Sequence, residues 1–256
     1  MKIAIGVNIF KENKNQLLAI ECLKRIKANN KNVEIYNIAF EEELVKIQEF
    51  INLGGLTKSS IDLTGNTNVK KPVSNELFDI LSSQDCDYFL FVNSDILISQ
   101  KTINLIKKAE YETYIFSRHE IKPISNINEP ISPYKIEVAG FDGWAIKNDW
   151  WKKNKKIIPE CIYSEVAWDN IMSMSIFPNS KSILCNKDFY IGHISHDNNW
   201  SRETPEGQYN MKTWLSMPIA QKWDYYMQSV LFKRQPFGYF TQPLINEERL
   251  EKQILK

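Results

Sequence analysis

Residues 1–121 alternate short β-branched runs with amphipathic stretches, and this alternation narrows the possible folds more than any other feature. "KIAIGVNIF", "NVEIYNIAF" and "TYIFSRHEI" read as buried strands. Between the first two, "NQLLAIECLKRIKAN" brings Leu17, Leu18, Ile20, Leu23 and Ile26 near one helical face, with basic residues toward its end. "FEEELVKIQEFINLG" reads as a second helix, and "SNELFDILSSQ" as a helix capped by Ser74. "SQKTINLIKKAEY" reads as another. Strand and helix in turn predict parallel crossovers with helices on both faces of a sheet. The expected fold is therefore α/β, Rossmann-like and mostly parallel. Ligands of such sheets bind beyond the carboxyl ends of the strands.

The second half is less regular. "EVAGFDGWAIKNDWW" reads as a strand or hairpin, "VAWDNIMSMSIF" as a helix, and "SILCNKDFYIGHISH" as one or two short strands. From Met211 onward a helical region is expected, interrupted at Pro218 and ending in a charged tail. This predicts a main domain over 1–212, divided into halves 1–120 and 121–212, and a helical C-terminal extension over 213–256. Trp150, Trp151, Trp168, Trp200, Trp214 and Trp223 supply either core or stacking platforms for sugars.

Charge excludes one class of partner. Lys and Arg number 32 against 31 Asp and Glu, which gives no electrostatic basis for binding nucleic acid. Cys22, Cys86, Cys161 and Cys185 are widely spaced with no CxxC pair, as expected of reduced thiols. No segment has the apolar length of a bilayer span and the N-terminus lacks a signal-peptide core, so a cytoplasmic location is expected, with peripheral membrane contact left open.

"DCDYFLFVNSDILIS" carries the chemistry. Its apolar run Tyr88–Val92 stops on Asn93-Ser94-Asp95 before a second apolar run begins. A carboxylate at the end of a buried strand needs donors around it or a cation in front of it. Two readings follow: a strand-end turn capped by its own side chains, or a site for a hard cation such as Mg²⁺ or Mn²⁺. In the second, Asn93 offers hydrogen bonds to a ribose and Asp95 offers the charge.

This strand and triplet resemble the DxD-type motif of GT-A glycosyltransferases of the family 2 type, with Asn93 in place of the first acid. The resemblance implies a metal-assisted enzyme that moves a sugar from a nucleotide-diphosphate sugar to a hydroxyl of a glycan or other acceptor, as in surface polysaccharide synthesis. Asp95 would bind Mn²⁺ or Mg²⁺, and Asn93 and Ser94 would lie against the nucleotide. "AGFDGWAIKNDWW" resembles the glycine-aromatic stretch of that family and "EVAWDNIM" its acid-bearing helix. These matches imply Asp142 in the acceptor pocket and Asp169 as base, with Glu165 behind it. "YIGHISHDNNWSRE" resembles the segment that supplies a metal-binding histidine. His193 and His196 would face opposite sides of an extended strand, so one of them is expected to reach the metal, with His193 favoured because Gly192 precedes it. Arg202, with Lys212, would neutralise the departing diphosphate. On the nucleotide side, topology places Val7, Asn8 and Phe10 after the first strand and Lys71 and Asn75 before the metal strand. Arg118 and His119 end the strand that follows, where an arginine can form a salt bridge within the site or meet the acceptor.

Competing classes lack their signatures. "GGLTKSS" does not have phosphate-loop spacing, there is no GxGxxG and no G-x-S-x-G, and "GVNIFKENKNQ" is unlike the glycine-rich loop of nucleotidyltransferases. The remaining alternative is a non-catalytic or hydrolytic binder of metal and nucleotide on the same scaffold.

Overall fold

The computed structural model describes residues 1–10, 13–186, 188–194 and 201–217, with the backbone alone at 134–139. Its strands are β1 (Ile3–Val7), β2 (Val33–Ala39), β3 (Ile51–Gly54), β4 (Tyr88–Val92), β5 (Ile96–Ile98), β6 (Thr113–Ile121), β7 (Pro133–Lys147), β8 (Ser182–Cys185) and β9 (Ile191–Ile194). All nine belong to one sheet, in the order β3-β2-β1-β4-β7-β6-β9-β5, with β8 also paired to β6. β1 is parallel to β2 and β4, and β2 to β3. β7 then runs antiparallel between β4 and β6, while β8 and β9 lie parallel to successive halves of β6.

The central strands are apolar throughout because both faces of the sheet are covered. Phe89 and Phe91 join one core with Leu77, Phe78, Trp144, Trp151 and Trp168. Tyr88, Leu90 and Val92 point the other way, into a core that includes Ile20, Leu23 and Ile26. Helix α1 (Lys14–Ala28) covers that second face. It is opened by Asn13, whose side chain accepts from the Gln16 backbone while the Gln16 side chain accepts from the Asn13 backbone. After α2 (Ser60–Thr64), α3 (Ser74–Ser82) covers the first face. Each fully buried large side chain here contributes roughly 1.5–3 kcal/mol through the hydrophobic effect. The remaining helices are α4 (Gln100–Ile106), α5 (Asn148–Asn154), α6 (Trp168–Ile176) and α7 (Pro205–Leu215).

One expected helix is absent. "FEEELVKIQEFINLG" forms a single 3₁₀ turn at Glu41–Glu43 and then strand β3. Asn52 explains the outcome: its side chain accepts from the Ile47 N–H and donates to the carbonyls of Ile47 and Phe50. These bonds satisfy backbone groups that a helix would have used. Glu49, at φ 76°, also turns the chain out of a right-handed helix. Ser74 is the first residue of α3 and Val73 occupies the cap position, without a side-chain cap bond. The strand-or-hairpin of the second half is one strand, β7, running directly into α5. α7 crosses the division expected at residue 212, and most of the extension lies outside the described residues.

The tryptophans among the described residues build core. Trp144, Trp150, Trp151, Trp168 and Trp214 are all buried. Three of these indoles donate their N–H: Trp144 to Ser173 Oγ at 3.0 Å, Trp150 to the Asn179 carbonyl at 3.2 Å, and Trp151 to Asp79 at 2.7 Å. Trp200 and Trp223 lie outside the described residues. The four cysteines are free, and no helix among the described residues is long and apolar enough to cross a membrane.

Candidate active site

Sheet register assembles a polar group where the central apolar strand ends. β4 pairs antiparallel with β7 up to Val92 opposite Gly143. The next residue, Asn93, donates its backbone N–H to the Asp142 carbonyl at 3.3 Å and its side-chain amide to Asp142 Oδ1 at 2.5 Å. A turn follows in which the Ile96 N–H donates to the Asn93 carbonyl at 3.2 Å. Ser94 Oγ accepts from Gln16 Nε2 of α1 at 3.0 Å. Asp95 then projects its carboxylate with 21% of the side chain exposed.

β9 supplies the group opposite Asp95. Its His193 is the register partner of Ile96 on β5 and of Glu120 on β6. Two backbone ladders therefore set the ring between Asp95 and Glu120. Nε2 lies 3.5 Å from Asp95 Oδ2, and Nδ1 lies 3.0 and 3.2 Å from the two Glu120 oxygens. Burial pulls His193 toward the neutral form, but Asp95, Asp142 and Glu120 outweigh it and raise its pKa. Gly192 serves packing: a Cβ there would lie 2.8 Å from the Phe189 ring and 3.2 Å from Ile121. His196 lies outside the described residues.

Arg118 links the two sides of this group. Two residues from Glu120 on the same strand, it shares that residue's face. Its Nε lies 2.9 Å from Glu120 Oε1, and Nη1 donates to Asp142 Oδ2 at 3.0 Å. Asp142 is thus engaged at both oxygens, by Arg118 and by Asn93. Burial raises its pKa, and Arg118 opposes that shift. The guanidinium lies over Gly140, where a Cβ would come within 3.1 Å of Arg118 Nε. His119, on the other face of β6, is buried edge-on against Phe189.

Asp169 stands beside this group in the first turn of α6, which starts from Ala167 in the left-handed conformation at φ 67°. Its Oδ2 accepts from the Phe141 N–H at 3.4 Å and its Oδ1 from the Asn170 N–H at 2.9 Å. Burial, reinforced by the negative charge of Asp142, pushes its pKa up to about 7; the two amides and Arg118 pull the other way. A carboxyl tuned to that value exchanges protons readily near neutrality.

The other expected residues scatter. Glu165 turns to Lys71, which meets Oε1 at 2.5 Å, while its buried Oε2 has no hydrogen-bond partner among the described residues. An expected acid and an expected phosphate-side cation therefore form one pair. Val7 is enclosed in the core. Asn8 is buried and donates to the Ile38 carbonyl at 2.7 Å, and its Oδ1 has no hydrogen-bond partner among the described residues. Phe10 is 44% exposed. Asn75 donates to the Ile158 carbonyl at 2.9 Å. Arg202 and Lys212 lie at the surface. Glu120 escaped the sequence reading. Its sequence signal is charge at alternate positions, Arg118 and Glu120, in a strand that begins with the apolar run Tyr114–Phe116.

Neither a protein-family model nor a curated protein matches the sequence significantly. Solved structures do resemble it. S. aureus TarS is 11% identical over 97% of this chain and 47% of its own, at a TM-score of 0.53. TarS 1-349 in complex with UDP-GlcNAc aligns at 13% identity over 77% of this chain and 59% of its own, at 0.48. A glycosyltransferase involved in glycosylating the major capsid of PBCV-1 aligns at 12% identity over 82% of this chain and all of its own, at 0.42. The chain therefore spans about half the length of TarS. The shared architecture, with a sheet parallel from β3 to β4 and antiparallel at β7, is GT-A-like, the fold of nucleotide-sugar glycosyltransferases.

Proposed function

We propose that this protein is a metal-assisted glycosyltransferase that moves a sugar from a nucleotide-diphosphate sugar to an acceptor hydroxyl. The observation that carries the reading is the Asp95–His193 pair at the end of β4, partly open to solvent and backed by a carboxylate. An aspartate oxygen and an imidazole nitrogen suit Mn²⁺, and Asp95 also suits Mg²⁺. Glu120 on the far nitrogen of His193 has the form of a carboxylate–histidine–metal support. Asp95 and His193 would hold the ion. Among the described residues no group of three or more potential metal-binding side chains gathers, and ions of this class commonly complete their shell with water and substrate phosphate.

A divalent ion so held would supply positive charge against the leaving diphosphate. The chain's own residues divide the other work. Asn93 is fixed by Asp142 and offers hydrogen-bonding capacity beside Asp95. Asp142, engaged at both oxygens, orients Asn93 and Arg118. Asp169 takes the proton of the attacking acceptor hydroxyl, which its raised pKa permits near neutral pH. Phe10, exposed after β1, would lie on the nucleotide side, with Val7 and Asn8 enclosed beneath it as support, and Lys71 with Glu165 forms a flanking pair.

The test is transfer of radiolabelled sugar from UDP-, GDP-, CDP- and dTDP-sugars, with Mn²⁺ or Mg²⁺, to hydroxyl acceptors, alongside a phosphate-release assay. UDP-GlcNAc, the molecule bound to TarS 1-349, heads the donor panel. Transfer lost with Asp95→Ala supports the proposal. Donor hydrolysis with no transfer to any acceptor would establish the hydrolytic alternative instead.

A further inference from the structure

Glu120 sits inside the sheet with 9% of its side chain exposed. A carboxylate so enclosed persists only against cations or hydrogen-bond donors. Both are present: His193 Nδ1 lies within 3.2 Å of either oxygen, and Arg118 Nε lies 2.9 Å from one of them. The contact does not depend on two long side chains finding each other. Glu120 and His193 are cross-strand partners in the parallel β6–β9 ladder, so the backbone itself brings them together.

We infer that Glu120 is a positioning residue: by accepting the Nδ1–H of His193, it holds the ring in the tautomer whose Nε2 lone pair is presented toward Asp95. A ring nitrogen that carries a proton cannot bind a cation, so the tautomer decides whether His193 can be a ligand. Nε2 would be the nitrogen offered to a divalent ion, its proton if present passing to solvent, while Nδ1 would keep its own proton against Glu120. Arg118 holds the carboxylate from the other side and grips Asp142 with its far nitrogen. The orientation of the histidine and that of the acceptor-side carboxylate thus share one guanidinium. This inference rests on the transferase reading for the identity of the cation, and on the geometry alone for the tautomer.

The test uses the full chain labelled with ¹⁵N-histidine, as wild type, Glu120→Ala and Glu120→Gln. With three histidines in the sequence, His193→Gln assigns the resonance. At alkaline pH, without metal, wild-type His193 is expected in the Nδ1–H form, and Glu120→Ala is expected to shift it toward Nε2–H. Mn²⁺ affinity, followed by the paramagnetic signal of the free ion with no donor or acceptor present, should fall about 10–100-fold in Glu120→Ala. Glu120→Gln keeps volume and a carbonyl acceptor, and should fall less. If the alanine variant does not fold, the glutamine variant decides, with several-fold weaker Mn²⁺ binding expected. Wild-type affinity together with an unchanged tautomer in a folded variant overturns the inference. A wild type that takes up no Mn²⁺ yet loses its Nδ1–H form on Glu120→Ala supports the positioning role and overturns the metal-assisted reading alone.

Discussion

Arg118, partly exposed, and Asp142, buried, form an ion pair, Nη1 to Oδ2, at 3.0 Å. The same guanidinium serves Glu120, so removing it deprives two enclosed carboxylates of their arginine and leaves Asp142 with Asn93 and Glu120 with His193. Arg118→Leu is expected to destabilise the protein by about 3–5 kcal/mol, the usual cost of leaving a buried charge unpaired. Arg118→Lys keeps the charge but cannot reach both acids with one ammonium, and should fall between the variant and wild type. Urea midpoints at constant slope measure this. A midpoint unchanged in Arg118→Leu would show that water reaches both acids.

Asp95 is expected to separate ligand binding from folding. Its side chain is partly exposed, so Asp95→Ala should change the stability of the free protein by about 1 kcal/mol or less. With Mn²⁺ and a donor at about one hundred times its Kd, the wild type should gain roughly 2.7 kcal/mol from native-state binding. Asp95→Ala should lose most of that gain, as seen in thermal midpoints with and without both ligands. Equal gains in the two proteins would remove Asp95 from the site.

Asp169 makes a paired prediction about rate and stability. As a base with a pKa of about 7, it should give transfer rates that rise about tenfold per pH unit below 7 and level off above it. Asp169→Asn should lower the rate by about 10²–10⁴ while keeping donor binding. The stability effect has the opposite sign. The folded-state pKa lies above the ordinary value of 3.8, so the folded state holds a proton that the unfolded chain releases. The associated stability is fully present below the unfolded value and is lost as pH rises toward about 7. Asp169→Asn has no such loss and should exceed the wild type at pH 8 by on the order of 1–3 kcal/mol. Denaturant curves at pH 5 and pH 8 test this, and a variant less stable than wild type at pH 8 contradicts it.

What could be read from sequence follows from how local each signal is. Tyr88–Val92 was legible because a strand covered on both faces must be apolar at every position, and β6 was legible at the residues where it occurs. The stretch from Glu41 to Gly54 misled because helical spacing of apolar groups was visible, whereas the competing bonds from Asn52 to Ile47 and Phe50 are not a pattern. In the site, Asn93 and Asp95 stood out because polar groups abruptly ended an apolar run. Glu120 did not, since its meaning depends on β9 pairing with β6 across 73 residues of sequence. The pairing of Lys71 with Glu165 was hidden in the same way, by long-range packing of two loops.

Two glycines test whether the charged group or the core is the more sensitive to one methyl group. A Cβ at Gly140 would lie 3.1 Å from Arg118 Nε and 3.2 Å from its Cζ; one at Gly6 would lie 2.6 Å from Leu81 Cδ2. Neither glycine has a positive φ, so the cost of each alanine comes from crowding and not from backbone strain. Leu81 is enclosed, and displacing it strains the packing between α3 and β1. Gly6→Ala is therefore expected to lose about 1–3 kcal/mol of stability while transfer per folded molecule stays at the wild-type rate. The Arg118 guanidinium lies between Asp142 on one side and Glu120 on the other, so giving way lengthens those ion pairs. Gly140→Ala should cost no more than about 1 kcal/mol in stability, yet slow transfer about tenfold, because misplacement of less than an ångström in a positioned site suffices for that. Denaturation and transfer assays on the same preparations decide it. Equal loss of stability in both variants, with no loss of rate in Gly140→Ala, would mean that the position of the arginine has no bearing on the chemistry.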